Sequence, residues 1–121
     1  MTIIIGSSSK KNHGHIGYIY INKIDADRET ASIHYLIGRN YWNKGFATEA
    51  CKAVLLFAFT EIGIHKIQTY HHVKNPASGK VLQKSGMRFI RMGYKHFPDC
   101  ESLDGDYCFY EITKKAWSET L

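Results

Sequence analysis

The stretch from Tyr35 to Ile62, YLIGRNYWNKGFATEACKAVLLFAFTEI, decides how the rest of the chain is arranged. It predicts the end of a strand, a tight turn that carries Gly45, and then one long helix. Gly63, followed by the apolar Ile64, is typical of a glycine that ends a helix. The helix itself is predicted from apolar residues that recur with the helical period and so share one face; they are Ala50, Cys51, Val54, Leu55, Ala58, Phe59 and Ile62.

The start of this helix is a candidate anion site. Side chains around Gly45 and Ala47 stay small where the backbone turns into the helix. The first backbone N–H groups of a helix lack intrahelical partners, and they lie at the positive end of the helix dipole. A turn of this kind between a strand and a helix therefore suits a phosphate group.

Two sequence blocks resemble the GNAT acyl-CoA N-acyltransferases. The first, YWNKGFATEA at Tyr41–Ala50, is similar to the family's pyrophosphate loop, Arg/Gln-x-x-Gly-x-Gly/Ala, at Gly45 and Ala47. The wording YW-x-KG-x-ATEA of this block is closer to the RimJ/RimL-like branch, which is named for N-terminal acetylation of ribosomal proteins. The second block, NPASGKVLQKSGM at Asn75–Met87, agrees, because it resembles the pattern N-P-A-S-x-x-V-L-x-K-x-G-F. Two blocks in the family's order are more specific than either block alone.

The order of the predicted elements indicates an α+β fold, a mixed antiparallel/parallel twisted sheet with a long crossover helix and a second short helix. The strands before and after the long helix must run parallel, because a helix separates them. The second helix is expected to begin at Pro76 with Asn75 as its cap, and to end at Gly86. The predicted strands are Thr2–Ile5, His15–Ile24, Thr30–Ile37, Lys66–Val73, Phe89–Met92 and Tyr107–Thr113.

The resemblance covers the chain from about Thr2 to Trp117 and implies a single GNAT-like acetyltransferase domain over residues 1–121. Thr2 corresponds to the second strand of the family. The implied fold is thus the GNAT-like acyl-CoA N-acyltransferase fold lacking the first strand and first helices. The first strand here leaves an unpaired sheet edge, and we expect a homodimer that uses this edge.

The resemblance also implies acetyl-CoA as the co-substrate. Its pantetheine arm would lie between the two parallel strands, and its pyrophosphate would rest on the start of the long helix. Asn75 would direct its side-chain amide at the same arm. The implied cofactor-binding residues are Leu36, Ile37, Asn43, Lys44, Gly45, Phe46, Ala47, Thr48, Asn75 and Ser78.

The acid–base residues depart from the usual GNAT pattern. Leu82 stands where many members carry a tyrosine acid, and Ser32 stands where a glutamate base is common. The resemblance then implies Ser78 as the proton donor. His34 projects from the same strand face as Ser32, and a neutral imidazole there can accept a proton from an amine. A purely structural histidine in the sheet remains the alternative.

Composition favours an ordinary soluble globular protein. Hydrophobic residues make up 44% of the chain, and the formal net charge of +5 suits an anionic ligand or a solvated basic face equally. Three cysteines without paired spacing favour a reducing cytoplasm, and the N-terminus lacks a signal peptide's basic start. No membrane partner is expected. The pairs His13/His15 and His71/His72 lack further ligands at metal spacing, so no metal is expected.

The resemblance therefore implies an N-acetyltransferase that moves the acetyl group of acetyl-CoA to a primary amine, a protein N-terminus or a small amine, in a ternary complex. A degenerate module that binds acyl-CoA or a partner without turnover is one alternative. A small RNA-binding sheet is another, since Tyr18 and Tyr20 alternate on one strand. Nucleic acid is not the expected partner, because the RRM signature is missing.

Overall fold

The computed structural model describes residues 3–9, 14–37 and 46–120, with side chains for 19–34 and 47–120. Within these residues, six strands form one sheet in the order β1-β2-β3-β4-β6-β5. The strands are β1 (Ile3–Ser9), β2 (Gly14–Asn22), β3 (Thr30–Ile37), β4 (Lys66–His72), β5 (Arg88–Lys95) and β6 (Gly105–Thr113); the helices are α1 (Phe46–Phe57), α2 (Pro76–Lys84) and α3 (Lys114–Glu119).

The predicted parallel pair is present. β3 and β4 run parallel because α1 crosses between them, whereas the other neighbouring strands pair antiparallel. The α+β architecture expected from the order of elements is therefore confirmed.

One face of the sheet packs against the helices. Alternation along β2 and β3 places Ile19, Ile21 and Ile33 on this face, where each is at most 2% exposed. The predicted apolar stripe of α1 meets them. Its fully buried members are Cys51, Val54, Leu55, Ala58 and Phe59, and Ile67, Leu82 and Ile112 complete the same cluster.

The long helix ends as the sequence predicts, with one irregular turn. Residues Ala58–Ile62 form a π-turn, in which the N–H of Gly63 donates to the carbonyl of Ala58 at 3.0 Å. Gly63 has φ of 82°, a left-handed conformation that glycine adopts without a steric cost. Arg28 then donates from its guanidinium to the Ile62 carbonyl at 2.6 Å, which ties the helix end to the β2–β3 turn.

Some element boundaries differ from those predicted. β1 continues to Ser9 through residues interpreted as a polar loop, since the antiparallel ladder with β2 continues past Gly6 and tolerates small polar residues. β5 runs on to Lys95, three residues beyond the predicted end, because its ladder with β6 continues to Gly105. The short helix α3 was not predicted; the Thr113 hydroxyl caps it by accepting from the Ala116 N–H at 3.1 Å.

The opposite face of the sheet carries a row of rings, which we call the aromatic face: Tyr20, His34, Tyr70, Tyr107 and Phe109. Across the strands, Tyr20 contacts His34, His34 contacts Tyr70, and Tyr70 contacts both Tyr107 and Phe109, with ring centroids 5.2 to 5.8 Å apart. The side-chain alternation of β-strands places all five opposite to the helix-covered face.

Thr69 is the residue that we expect to matter most for the stability of the central strands. Its hydroxyl donates to the Ile33 carbonyl at 2.6 Å, and Thr69 is only 5% exposed. Thr69→Val leaves that buried carbonyl without its donor, so we expect urea denaturation to show a loss of about 1–3 kcal/mol in the free energy of unfolding.

Thr60→Val is the matched control. The Thr60 hydroxyl also donates to a carbonyl, that of Leu56, but on an exposed helix surface where water can replace it. This control should change stability by less than about 0.5 kcal/mol. Equal losses in the two variants would contradict a special role for Thr69.

Candidate active site

β3 and β4 diverge within the sheet. Their ladder joins Thr30–Ser32 to Lys66–Gln68 and, in the described residues, goes no further. Both strands nevertheless continue, β3 to Ile37 and β4 to His72, each paired with its outer neighbour. The Thr69 hydroxyl bond to the Ile33 carbonyl lies just where the ladder stops. Beyond it, β3 continues from His34 to Ile37 with no pairing to β4 among the described residues, and the space between the two strands can accept an extended ligand.

The start of α1 lies next along the chain from this gap. The helix begins at Phe46, and Ala47 and Thr48 are half-buried in its first turn. Its first N–H groups have no partner within the helix. The predicted loop residues Asn43, Lys44 and Gly45 lie outside the described residues.

The start of α2 corrects one expectation. Asn75 occupies the cap position, but its side chain makes no capping hydrogen bond and the residue is exposed. The reason is local: the Asn75 carbonyl accepts the Ser78 N–H at 3.2 Å, and Pro76 in the first turn has no N–H to satisfy. The Asn75 amide is therefore not used in holding the helix, and Ser78 sits half-buried one turn away.

His34 lies on the aromatic face between two tyrosines. Its ring centroid is 5.2 Å from that of Tyr20 and 5.2 Å from that of Tyr70. Burial lowers the pKa of His34 below its usual 6.5, and the charges of Lys23 and Lys95 lower this pKa further. His34 is thus a neutral imidazole at pH 7, the form that can accept a proton.

His34 and Ser78 are not brought together on one surface. Ser78 belongs to α2, which packs on the helix-covered face, and His34 belongs to the aromatic face. They lie on the two sides of the sheet in which the gap opens. Leu82, at the position of the family's tyrosine, is 1% exposed in the apolar core, and Ser32 is 8% exposed.

Sequence reasoning missed Tyr70 and the cations beside it. Burial raises the pKa of Tyr70, with smaller contributions from Tyr107 and Tyr20, so its phenol stays protonated as a hydrogen-bond donor. The Lys95 ammonium lies 4.5 Å from the Tyr70 ring centroid. Alternation along β4 predicts that Tyr70 and His72 share a face, but no sequence signal gives the register that brings β5 close to His34.

The side chains of His71 and His72 do not converge on one site, and those of His13 and His15 lie outside the described residues. His71 is buried against α2 with its Nε2 atom unpaired, whereas His72 projects from the other side and makes an edge-to-face contact with Tyr107, with ring centroids 5.0 Å apart. Within residues 19–34 and 47–120, no three His, Cys, Asp or Glu side chains form a group that could hold a metal ion. Among the described helices, none is long and apolar enough to cross a membrane.

Residues 2–88 match the model of the acetyltransferase (GNAT) domain. The chain belongs to the GNAT acetyltransferase family. The family resemblance seen in the two sequence blocks is thereby confirmed, and the GNAT fold with it.

Two Bacillus subtilis relatives illustrate the match. The uncharacterized N-acetyltransferase YnaD is 32% identical over 103 residues, which cover 85% of this GNAT domain and 59% of YnaD. YdaF, provisionally named a ribosomal N-acetyltransferase, is 27% identical over 104 residues, which cover 84% of this chain and 55% of YdaF. The chain thus spans between half and two thirds of the length of these relatives.

Solved structures agree on the fold. A GNAT-family acetyltransferase from Bacillus anthracis is 28% identical with a TM-score of 0.71, and the match covers 88% of this chain and 63% of that one. A chimaeric spermidine N-acetyltransferase SpeG from Vibrio cholerae gives a TM-score of 0.81 over 97% of this chain and 69% of that one. Its 19% identity supports a common fold alone.

Proposed function

We propose that this chain transfers the acetyl group of acetyl-CoA to a primary amine, on a protein N-terminus or a small molecule, by direct attack within a ternary complex. The observation that carries the proposal is the gap where β3 and β4 part, with the His34 imidazole between two tyrosine rings on the aromatic face of β3. Such an arrangement holds a thioester and an amine side by side, which removes most of the entropic cost of a bimolecular reaction.

The donor side of the proposal uses the helix-covered face and the gap. Pantetheine amides would pair with the backbone at Leu36 and Ile37, as an added strand does. The pyrophosphate would rest on amides from Lys44 to Thr48 at the start of α1. The Asn75 amide, which is not used as a helix cap, is available to the same arm.

The chemical step then divides between the two sides of the sheet. The amine nitrogen attacks the thioester carbonyl carbon, the carbon–sulfur bond breaks, and coenzyme A leaves as a thiolate. His34 accepts the proton that the amine nitrogen loses, and a backbone N–H near Ile37 stabilises the oxyanion. Ser78 donates a proton, or a hydrogen bond, to the departing thiolate.

The RimJ/RimL-like branch and a cytoplasmic location belong to the proposal as well. The block at Asn75–Met87 and the ribosomal name of YdaF support the branch. The polyamine substrate in the SpeG name is not carried over, because that match rests on 19% identity. We also propose that residues 1–121 act as one acetyltransferase domain.

Two other functions give different outcomes in a thermal-shift screen. Coenzyme A should raise the melting temperature if the chain is an enzyme or a degenerate acyl-CoA-binding module. A single-stranded oligonucleotide should raise it only for an RNA-binding sheet. Product formation from acetyl-CoA and an amine then distinguishes the enzyme from the degenerate module.

The placement of the pyrophosphate is tested at Gly45. In Gly45→Val, a branched side chain should block close approach of the backbone to the phosphates, and acetyl-CoA should bind about tenfold more weakly or worse in calorimetry. Ala53→Val adds the same side chain to an exposed position of α1 and should leave the affinity unchanged. Unchanged affinity in Gly45→Val would remove the pyrophosphate from this helix start.

The proton-transfer roles are tested by pH–rate profiles. Because the pKa of His34 lies below 6.5, kcat/KM should fall as the pH decreases through that lower value and the imidazole becomes protonated. His34→Gln should flatten this acid limb with acetyl-CoA affinity nearly intact. Ser78→Ala should lower kcat by a factor within the range of about 10²–10⁴ that is typical of positioned proton transfer.

His65→Gln is the control for the histidine variant, since His65 is exposed and lies outside the gap. Its profile should match that of the wild type. If His34→Gln also keeps the wild-type profile, water or the free-base fraction of the amine accepts the proton, and His34 is structural.

We further propose a homodimer that forms through β1, which is an edge of the sheet. A strand edge offers unpaired backbone groups to a second copy, and a partner can complete an acceptor groove in trans. Light scattering at roughly tens of micromolar should give twice the monomer mass. A monomer with full activity under these conditions would contradict the dimer.

A further inference from the structure

We propose that the acceptor amine also carries a carboxylate, which Lys95 and Arg91 bind on the aromatic face beside His34. This inference rests on the acetyl transfer proposed above and specifies the class of its acceptor. It follows from the positions of two positive charges, those of Lys95 and Arg91, and from the fact that the nearby carboxylates are paired with other groups.

Lys95 and the proposed base lie against the same ring, that of Tyr70. The Lys95 ammonium lies 4.5 Å from the Tyr70 ring centroid. The His34 ring makes an edge-to-face contact with the same tyrosine, with ring centroids 5.2 Å apart. Phe97 and Phe109 lie 5.7 and 5.9 Å from the same ammonium. Three ring contacts hold the charge in place, so that it does not swing through solvent as a typical surface lysine does.

Arg91 adds a second fixed cation on the same face. Its guanidinium carbon lies 4.1 Å from the Phe109 ring centroid, which is the stacked geometry that arginine favours. Gly93 leaves the room for it, because a Cβ there would overlap the Arg91 guanidinium and come within 3.3 Å of the Phe109 ring. A stacked guanidinium keeps its N–H donors free to bind a carboxylate in bidentate fashion.

The nearby carboxylates are used elsewhere. Glu111, on the same side of β6, is shared between Lys66 at 3.9 Å and Arg88 at 3.5 Å. Asp104 accepts from the Phe97 N–H at 2.6 Å and is paired with His96 at 2.7 Å.

The turn after β2 offers no counter-charge either. The Asp25 carboxylate accepts from the backbone of Glu29 and Thr30. Among the ion pairs of the described residues, none involves Lys95, Arg91 or Lys23. The face around His34 therefore has an uncompensated positive charge.

This charge acts on an amine in two ways. It repels an acceptor whose only charge is positive, and it attracts one whose carboxylate can reach Lys95 and Arg91. Once such an acceptor is bound, the same cations favour the uncharged form of its amine, which is the form that attacks the thioester. An acceptor with a carboxylate thus binds more tightly, and a larger fraction of its bound amine is in the uncharged form that attacks the thioester.

A matched series of amines tests the inference. δ-Aminovalerate, n-pentylamine and cadaverine share one carbon spacing and end in a carboxylate, a methyl group and an aminomethyl group. We expect kcat/KM to decrease in that order, with about a fivefold advantage for the carboxylate over the methyl group, as for one partly exposed charge pair. Added salt should reduce this advantage, because it screens exposed charges.

Variants locate the effect. Lys95→Gln should lower the ratio of kcat/KM for δ-aminovalerate to that for n-pentylamine toward one, with Arg91 accounting for what remains, and Lys95→Glu should shift the preference toward cadaverine. Lys115→Gln removes the same charge from an exposed position of α3 and should keep the wild-type ratio.

The outcomes separate the two proposals. Equal rates for the three amines, a preference for cadaverine, or an unchanged ratio in Lys95→Gln would overturn the carboxylate inference and leave acetyl transfer standing. No product from any amine, together with no acetyl-CoA binding in calorimetry, would instead overturn the proposed function, and the carboxylate inference with it.

Discussion

The rest of the site depends on one hydrogen bond, the one from the Thr69 hydroxyl to the Ile33 carbonyl. Two parallel strands that stop pairing would each leave a row of buried backbone groups without partners, which a folded protein tolerates poorly. The threonine hydroxyl satisfies the first carbonyl past the end of the ladder, so the strands can part there at little cost. Each strand then stays straight by pairing with its outer neighbour, β2 or β6. The gap is thus framed by regular sheet on both sides.

The fold could be predicted from the sequence because its signals are local. The apolar stripe of α1, the glycine at its end and the helix between two strands together dictate the parallel pair. The ends of the strands were harder to predict from the sequence, because pairing with a neighbouring strand decides where each strand ends. β1 and β5 continue through weak strand formers such as Ser7 and Gly93 because a partner strand runs alongside.

The candidate site was predictable only in part. Asn75 and Ser78 stand in a recognisable block, and His34 follows from alternation along one strand. The environment of His34 depends on residues from β4 and β5, and their positions follow from the register across β6. Lys95 is one of sixteen Lys and Arg residues in the sequence, and nothing local sets it apart. Asn75 stands at the predicted cap position, but its side chain makes no capping bond, because a backbone carbonyl accepts the N–H that the side chain was expected to bind.

Gly79 has a consequence for how such a site can change. α2 rests so closely on the sheet that a single added carbon at Gly79 would lie 2.8 Å from His71 Nε2 and 3.3 Å from the Tyr110 hydroxyl. The glycine therefore acts as a spacer that sets the height of Asn75 and Ser78 above the strands. Residues of the aromatic face have no part in this contact. Substitutions of side chains on β4 and β5 can thus change which acceptor the domain binds, while the packing of α2 on the sheet is unaffected.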